Sequence, residues 1–186
     1  MMQQQLDTLV ENLRRFEGAI PWMYRDTAPA GNVTVGIGVL LPDEGAAVAL
    51  PFRNTKAGRG ATETEIAQDF ARVRAIRGGL NAGEYRGFAP LELPDGEVTA
   101  LAVRRLEDVF LPGLRGLYAG FDRWPWPAQQ VLVDMAWNLG LAGLEKFYQL
   151  RQACHTGDWA RAADESHVAT SRPARNEWRA ETFRRC

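Results

Sequence analysis

Histidine and cysteine are the scarce residues of this 186-residue chain, with two of each: His155 and His167, Cys154 and Cys186. Neither pair has zinc-type or CxxC spacing, so neither a histidine-rich metal site nor a dithiol redox centre is expected. A disulfide between Cys154 and Cys186 does not follow from the sequence, and two free thiols are the expectation. A charge excess of either sign is also missing, because 22 Lys and Arg stand against 23 Asp and Glu for a net charge of −1. A dedicated nucleic-acid binder carries a clear basic surplus, and general adhesion to anionic surfaces asks for the same. No apolar run approaches the ~20 residues of a membrane span. The opening "MMQQQLDTLVENLRRFEG" has no apolar signal core and no small-residue cleavage site. Synthesis in the cytoplasm without a signal peptide is therefore expected, with any action outside depending on another route.

What is present is ordinary for a globular protein: 46% hydrophobic and 24% charged residues, on a chain long enough for one well-buried domain and short for two. Leu6, Leu9, Val10, Leu13 and Phe16 recur at helical spacing, with Asp7, Glu11, Asn12, Arg14 and Arg15 on the other face. Gly18 closes this helix and Pro21 keeps it closed. Glu17 then stands at a helix C-terminus, where the dipole disfavours negative charge, and that placement asks for a reason. Downstream, "DTAPAGN" is turn chemistry. Val33, Val35 and Ile37 alternate with Thr34, Gly36 and Gly38 as in a short strand. The pattern predicts a hairpin or three-stranded sheet beside the first helix, with glycines where something comes close to the backbone.

Residues Pro42 to Gly60 read as a surface loop. "TETE" at Thr62–Glu65 fits a capping box that opens a helix through Ile66, Phe70, Val73 and Ile76. A second irregular stretch ends at Asp95-Gly96, before a helix carrying Val98, Leu101, Leu106, Val109 and Phe110 that Pro112 stops or kinks. "WPWPAQQVLVDMAWNLG" predicts a helix from near Pro127 to Gly140, so apolar that it should be buried. Three short helices follow, around Leu144–Ala153, Trp159–Glu165 with Asp158 as N-cap, and Ala174–Arg184. The fold class expected is α+β, a single mostly helical domain with a small N-terminal antiparallel sheet. Its β-containing lobe spans about 18–60, and its helical lobe about 61–186 plus the first helix.

A carboxylate ending a helix, followed by a second in the next turn, suits glycoside hydrolysis. That reaction needs one carboxylic acid to protonate the leaving oxygen and one carboxylate as base or nucleophile, in environments different enough to keep only one protonated near neutral pH. Glu17, beside Phe16, Ala19 and Ile20 at the negative end of a helix, reads as the acid. Asp26, in a polar turn with Arg25 and Thr27, reads as the ionised partner, and Thr34 as a residue that holds water. Alone, such a pair is more often solvated surface.

The order helix–"EG"–"YRDT"–"G"–"TVGIG"–"LL" resembles the phage-type lysozymes, the muramidases with which bacteriophages open the bacterial wall. In that family the catalytic Glu ends the first helix, an Asp follows nine positions on, and a Thr begins the T-[IV]-G-[IV]-G strand, which here are Glu17, Asp26 and Thr34. "VLVDMAWNLG" (Val131–Gly140) resembles the family's central helix. "RPARNEWRAETFRR" (Arg172–Arg185) resembles its terminal helix, whose first Arg pairs with the catalytic Glu and points to Arg175. The chain departs from the pattern in four ways: the hairpin is two residues longer ("APA"), Val39 stands where the family often has His, the stretch Pro42–Leu93 is longer, and the chain is not basic.

The resemblance implies a lysozyme-like fold and cleavage of the β-1,4 bond between N-acetylmuramic acid and N-acetylglucosamine in peptidoglycan. No cofactor or metal is implied, and the family outcome is inversion. Trp22 and Met23 are candidates to line a sugar subsite, with Tyr24, Gly38, Asn138 and Arg175 in supporting roles. Trp137 reads as core, Tyr24 as packing with a partnered hydroxyl, Gly36 and Gly38 as structural, Asn138 as a helix-end hydrogen-bonding residue, and His167 as surface. Two settings fit, a phage endolysin released through a holin pore and an injected antibacterial effector with an immunity-protein partner; either acts in the periplasm or cell wall. The alternatives are a non-catalytic peptidoglycan-binding module and, more distantly, a chitin-directed hydrolase.

Overall fold

The computed structural model describes residues 3–26, 31–76 and 80–186. Its first helix, α1 (Gln3–Glu17), buries Leu6, Leu9, Val10 and Leu13 along one stripe. The helix stops where predicted: Gly18 takes φ 78° and its amide donates to the Arg14 carbonyl at 3.0 Å, the left-handed glycine stop that frees the chain to turn. Three strands follow, β1 (Ile20–Arg25), β2 (Val33–Gly36) and β3 (Val39–Leu40), in one antiparallel sheet of order β1-β2-β3. Between the pairs Ile20↔Gly36 and Tyr24↔Thr34 the register slips, so that Pro21, Trp22 and Met23 together face only Val35. Pro21 has no amide to give to a ladder, and its carbonyl accepts the Leu93 amide at 2.7 Å instead. The slip sets Tyr24 opposite Thr34.

The predicted strand, read through Gly38, ends at Gly36. Gly36 (φ 66°) and Gly38 (φ 67°) bracket a tight turn, and Ile37 sits fully buried in that turn. A Cβ on Gly36 would lie 3.5 Å from the Val98 side chain, so the close approach that the strand glycines predict is made here by a neighbouring helix.

The stretch read as a loop from Pro42 to Gly60 is partly ordered. Asp43 caps α2 (Glu44–Val48) by accepting the Ala46 amide at 2.8 Å. Beyond it, β4 (Arg53–Asn54) and β5 (Arg59–Gly60) form a hairpin. Next comes α3 (Glu63–Ala75), whose capping box is present as predicted: Thr62 Oγ1 accepts the Glu65 amide at 3.2 Å and Glu65 returns the bond to the Thr62 amide at 2.8 Å. After a 3-10 turn at Ala82–Gly87, β6 (Leu91–Glu92) completes a second antiparallel sheet, β5-β4-β6.

Helix α4 (Asp95–Arg105) passes through a wider π turn (Leu106–Phe110) into α5 (Leu111–Leu117). Of the two outcomes expected at Pro112, the helix does not stop; the residue follows directly on the π turn, at the start of α5. A 3-10 turn at Phe121–Arg123 leads to α6 (Trp126–Leu139), which buries Val131 through Ala136 without interruption and ends at Gly140 (φ 70°). The remaining helices are α7 (Leu141–Leu144), α8 (Tyr148–Thr156), α9 (Trp159–Glu165) and α10 (Pro173–Phe183). Asp158 caps α9 as predicted, accepting the Arg161 amide at 3.0 Å. Trp137 is half-buried and packs against Phe110, with ring centroids 5.1 Å apart and the planes tilted by 37°. The chain is thus a mostly helical α+β protein with a small antiparallel sheet near its N-terminus.

Two compact units emerge, one of Leu13–Arg104 and one of the described residues of Met1–Asn12 with Arg105–Cys186. The boundary differs from the expected lobes because α3 packs on β1 and β2, and the 3-10 turn at Ala82–Gly87 and β6 both pack on β1. Among the described residues, no helix is long and apolar enough to cross a membrane.

Candidate functional site

The sheet-bearing unit carries Glu17, Tyr24, Asp26 and Thr34. Glu17 is half-buried at the last position of α1, and β1 opens three residues later. Asp26 follows directly on β1 and is fixed by the backbone. Its amide donates to the Asn32 carbonyl at 3.0 Å, and the Asn32 amide donates to Asp26 Oδ1 at 3.1 Å. This reciprocal pair closes the base of the β1–β2 connection. The extra "APA" lies outside the described residues; Asp26 itself is held at the base of the connection by Asn32. Thr34 is buried, and its hydroxyl donates to the same Asn32 carbonyl at 3.2 Å. The remaining capacity of that oxygen is as an acceptor.

Tyr24 ties these groups together. It is half-buried opposite Thr34, and its hydroxyl is pushed up to about 12, first by burial, then by the negative charge of Glu17, then by that of Asp26. One phenol thus lies within electrostatic reach of both carboxylates. Tyr85, from the 3-10 turn, is completely buried nearby. Its hydroxyl is raised by burial, with Glu84 and Asp26 adding to the shift and Arg25 opposing it. Arg25 holds the surrounding backbone, donating from Nε to the Gly31 carbonyl at 2.7 Å and from Nη1 to the Ile76 carbonyl at 2.6 Å.

The expected sugar-lining residues fare differently. Met23 is wholly inside, which corrects its assignment to a subsite: the register slip in β1 turns it into core. Trp22 is half-buried, its Nε1 donates to the Ala82 carbonyl at 2.9 Å, and the Arg86 guanidinium sits 5.1 Å from its ring centroid. Arg86 also pairs with Glu92. A cation therefore already occupies one ring face of Trp22. Gly38 is exposed in the β2–β3 turn, and Val39, at the position of the family's frequent His, is buried.

Arg175 and Asn138 belong to the helical unit, in a network organised by a residue that the sequence did not single out, Asp134. This carboxylate is 1% exposed and receives Arg175 Nη2 at 2.8 Å and Nε at 3.0 Å on Oδ1, and Arg179 Nε at 2.6 Å on Oδ2. Arg179, 0% exposed, reaches on to Ser171 Oγ at 3.1 Å and to Asn138 Oδ1 at 3.1 Å. Ser171 donates to the same Asn138 oxygen at 2.8 Å, so Asn138 has the helix-end hydrogen-bonding role read from the sequence. Two guanidinium groups share this one carboxylate, an arrangement strong enough to fix α6 against α10. The i, i+4 spacing of Arg175 and Arg179 on a helix was the available signal for a shared partner, but the partner's identity lies 41 residues upstream of Arg175. His167 is exposed between two adjoining clefts of about 480 and 360 Å³ that share it and Asp164.

Glu17, Tyr24, Asp26 and Thr34 are thus gathered by consecutive elements of one unit, and Tyr85 and Arg25 join them from positions not predicted. Among the described residues, no group of three or more His, Cys, Asp or Glu could hold a metal ion. No protein-family model matches the chain, and no curated protein matches it.

Proposed function

We propose that this chain is a peptidoglycan muramidase of the phage-lysozyme type. The observation that carries the reading is the gathering of Glu17, Asp26 and Thr34 by consecutive elements around Tyr24, which lies opposite Thr34 and whose hydroxyl is raised first by burial and then by the charges of Glu17 and Asp26. Two carboxyl groups that act on one phenol converge on one locality, which is what acid-assisted glycoside cleavage requires. Glu17 donates its proton to the glycosidic oxygen between N-acetylmuramic acid and N-acetylglucosamine. Asp26, oriented by the Asn32 amide, stabilises the developing positive charge and activates water, and the acceptor oxygen of Thr34 places that water. Inversion at the anomeric carbon is the outcome that the resemblance implies. Arg175 is the cation that the resemblance assigns as partner to Glu17. The substrate lies in the bacterial wall, so the protein acts there after release or injection, and an immunity protein is the partner expected in the second setting.

The test is digestion of purified peptidoglycan, with mass analysis of the soluble sugar fragments. Wild-type protein should release muropeptides, and Glu17→Gln should retain the fold and release none. Full release by Glu17→Gln refutes the assignment. Intact strands that bind the wild-type protein without being cut identify a non-catalytic glycan-binding module instead.

A further inference from the structure

Arg25 precedes Asp26 in the chain, and its side chain binds three backbone carbonyls. Nε donates to the Gly31 carbonyl at 2.7 Å, and Nη1 donates to the carbonyls of Ile76 at 2.6 Å and Arg74 at 3.5 Å. Gly31 lies at the returning base of the β1–β2 connection, immediately before Asn32. Arg74 and Ile76 lie at the C-terminal end of α3, where the last carbonyls lack helical partners and the dipole is negative. One cation therefore satisfies a helix end and ties the returning limb of the hairpin to it.

The fit on the hairpin side favours glycine. Gly31 has φ 55°, and a Cβ built there would lie 2.5 Å from Arg25 Nη2, 2.7 Å from Nε and 2.8 Å from Cζ. The guanidinium occupies the space a side chain would need. Asn32, the next residue, gives its amide to Asp26 Oδ1 and its carbonyl to the Asp26 amide and the Thr34 hydroxyl. Whatever fixes Gly31 fixes Asn32, and Asn32 orients both Asp26 and Thr34.

From this geometry we infer that Arg25, seated on Gly31 and anchored to the end of α3, is the positioning residue for Asp26 and Thr34. Its forked guanidinium is what the task demands, since two different nitrogens bind carbonyls from two separate elements. A lysine offers a single nitrogen and cannot span them. The buried Tyr85, whose hydroxyl feels both Arg25 and Asp26, closes the same corner. The consequence for activity rests on the muramidase reading above; the consequence for the backbone does not.

The experiment uses the full chain with Arg25→Gln, Arg25→Lys and Gly31→Ala, and reads two quantities. The first is amide hydrogen exchange at Asn32, expected to accelerate about tenfold or more in all three variants while the amides of α1 and α6 keep their protection. The second is turnover on purified peptidoglycan, expected to fall roughly tenfold to a hundredfold in kcat, as for a misplaced reacting group, with KM unchanged and no rescue by Arg25→Lys. Should Arg25→Gln lose protection throughout the chain, the same two readings on Gly31→Ala decide, because that variant displaces the guanidinium without removing it. Unchanged Asn32 exchange overturns the inference, as does unchanged kcat in an active enzyme, or full rescue by lysine. A wild-type protein inert on peptidoglycan sinks the muramidase reading instead and leaves the exchange measurement to judge the clamp.

Discussion

The two units handle their carboxylates in opposite ways. In the sheet-bearing unit Glu17 and Asp26 stand half-buried at the ends of elements, with Asp26 held by a backbone amide at 3.1 Å. In the helical unit Asp134 is sealed from water and receives guanidinium nitrogens from both Arg175 and Arg179. A buried carboxylate bound by two fixed guanidinium groups serves the architecture. Glu17 and Asp26 are instead partly open to solvent, Asp26 with a backbone amide on one oxygen. Under the muramidase proposal that difference separates an acid pair that can meet a substrate from a carboxylate that serves the architecture.

Substitutions should respect that division. The largest effect is expected at Glu17: Glu17→Gln should lower peptidoglycan turnover by about a hundredfold to ten-thousandfold, the usual worth of a general acid, with the urea unfolding midpoint within error of wild type. The reverse pattern is expected at Asp134. Asp134→Ala leaves two buried arginines without their shared anion and should destabilise the fold by about 3–5 kcal/mol, read from urea unfolding. A Glu17 variant that unfolds the protein, or an Asp134 variant that leaves stability untouched, would erase the contrast.

Asp69 sharpens the comparison, because it is a buried carboxylate inside the sheet-bearing unit. Its Oδ1 takes Arg72 Nη1 at 2.7 Å, while Oδ2 has no hydrogen-bond partner among the described residues. Burial pushes its carboxyl from the ordinary 3.8 up to about 6, against the opposing pull of Arg72 and the Leu91 amide. The folded state therefore holds a proton that the unfolded state has released. This contribution to stability is fully present below about 4 and is lost as pH rises through about 6. The thermal midpoint should fall by a few degrees over that window, and Asp69→Asn should flatten the dependence in a pH series of melting curves. The smallest effect concerns the thiols. Cys154 is buried with its thiol pushed up to about 12, mainly by burial, while Cys186 is exposed. A thiol reagent should label one cysteine in the native protein and two after denaturation, as counted by mass.

Much of this arrangement was legible in the residues. The apolar stripe of α1, the Thr62–Glu65 capping box, the Asp158 cap and the glycine stops at Gly18 and Gly140 are local signals, and the chain obeys them. Glu17, Asp26 and Thr34 could be picked out because all three sit within one short run of helix end, turn and strand. The second sheet was hidden because β4, β5 and β6 are two residues each, too short for any periodicity. Pro112 marked the right place but not which of its two outcomes would follow, because a π turn can take up the missing amide without ending the helix. Met23 misled because the slip of register in β1 cannot be seen until Pro21 is placed against its partner strand. Asp134 stayed anonymous because a lone acid in an apolar helix reveals its need for a partner but not which distant side chain meets it.

The reciprocal bonds between Asp26 and Asn32 have an evolutionary corollary. Asn32 makes that closure with its main-chain amide and carbonyl, and the residue is exposed. Related sequences should therefore vary in the side chain at this gatepost while avoiding proline, which has no amide to give.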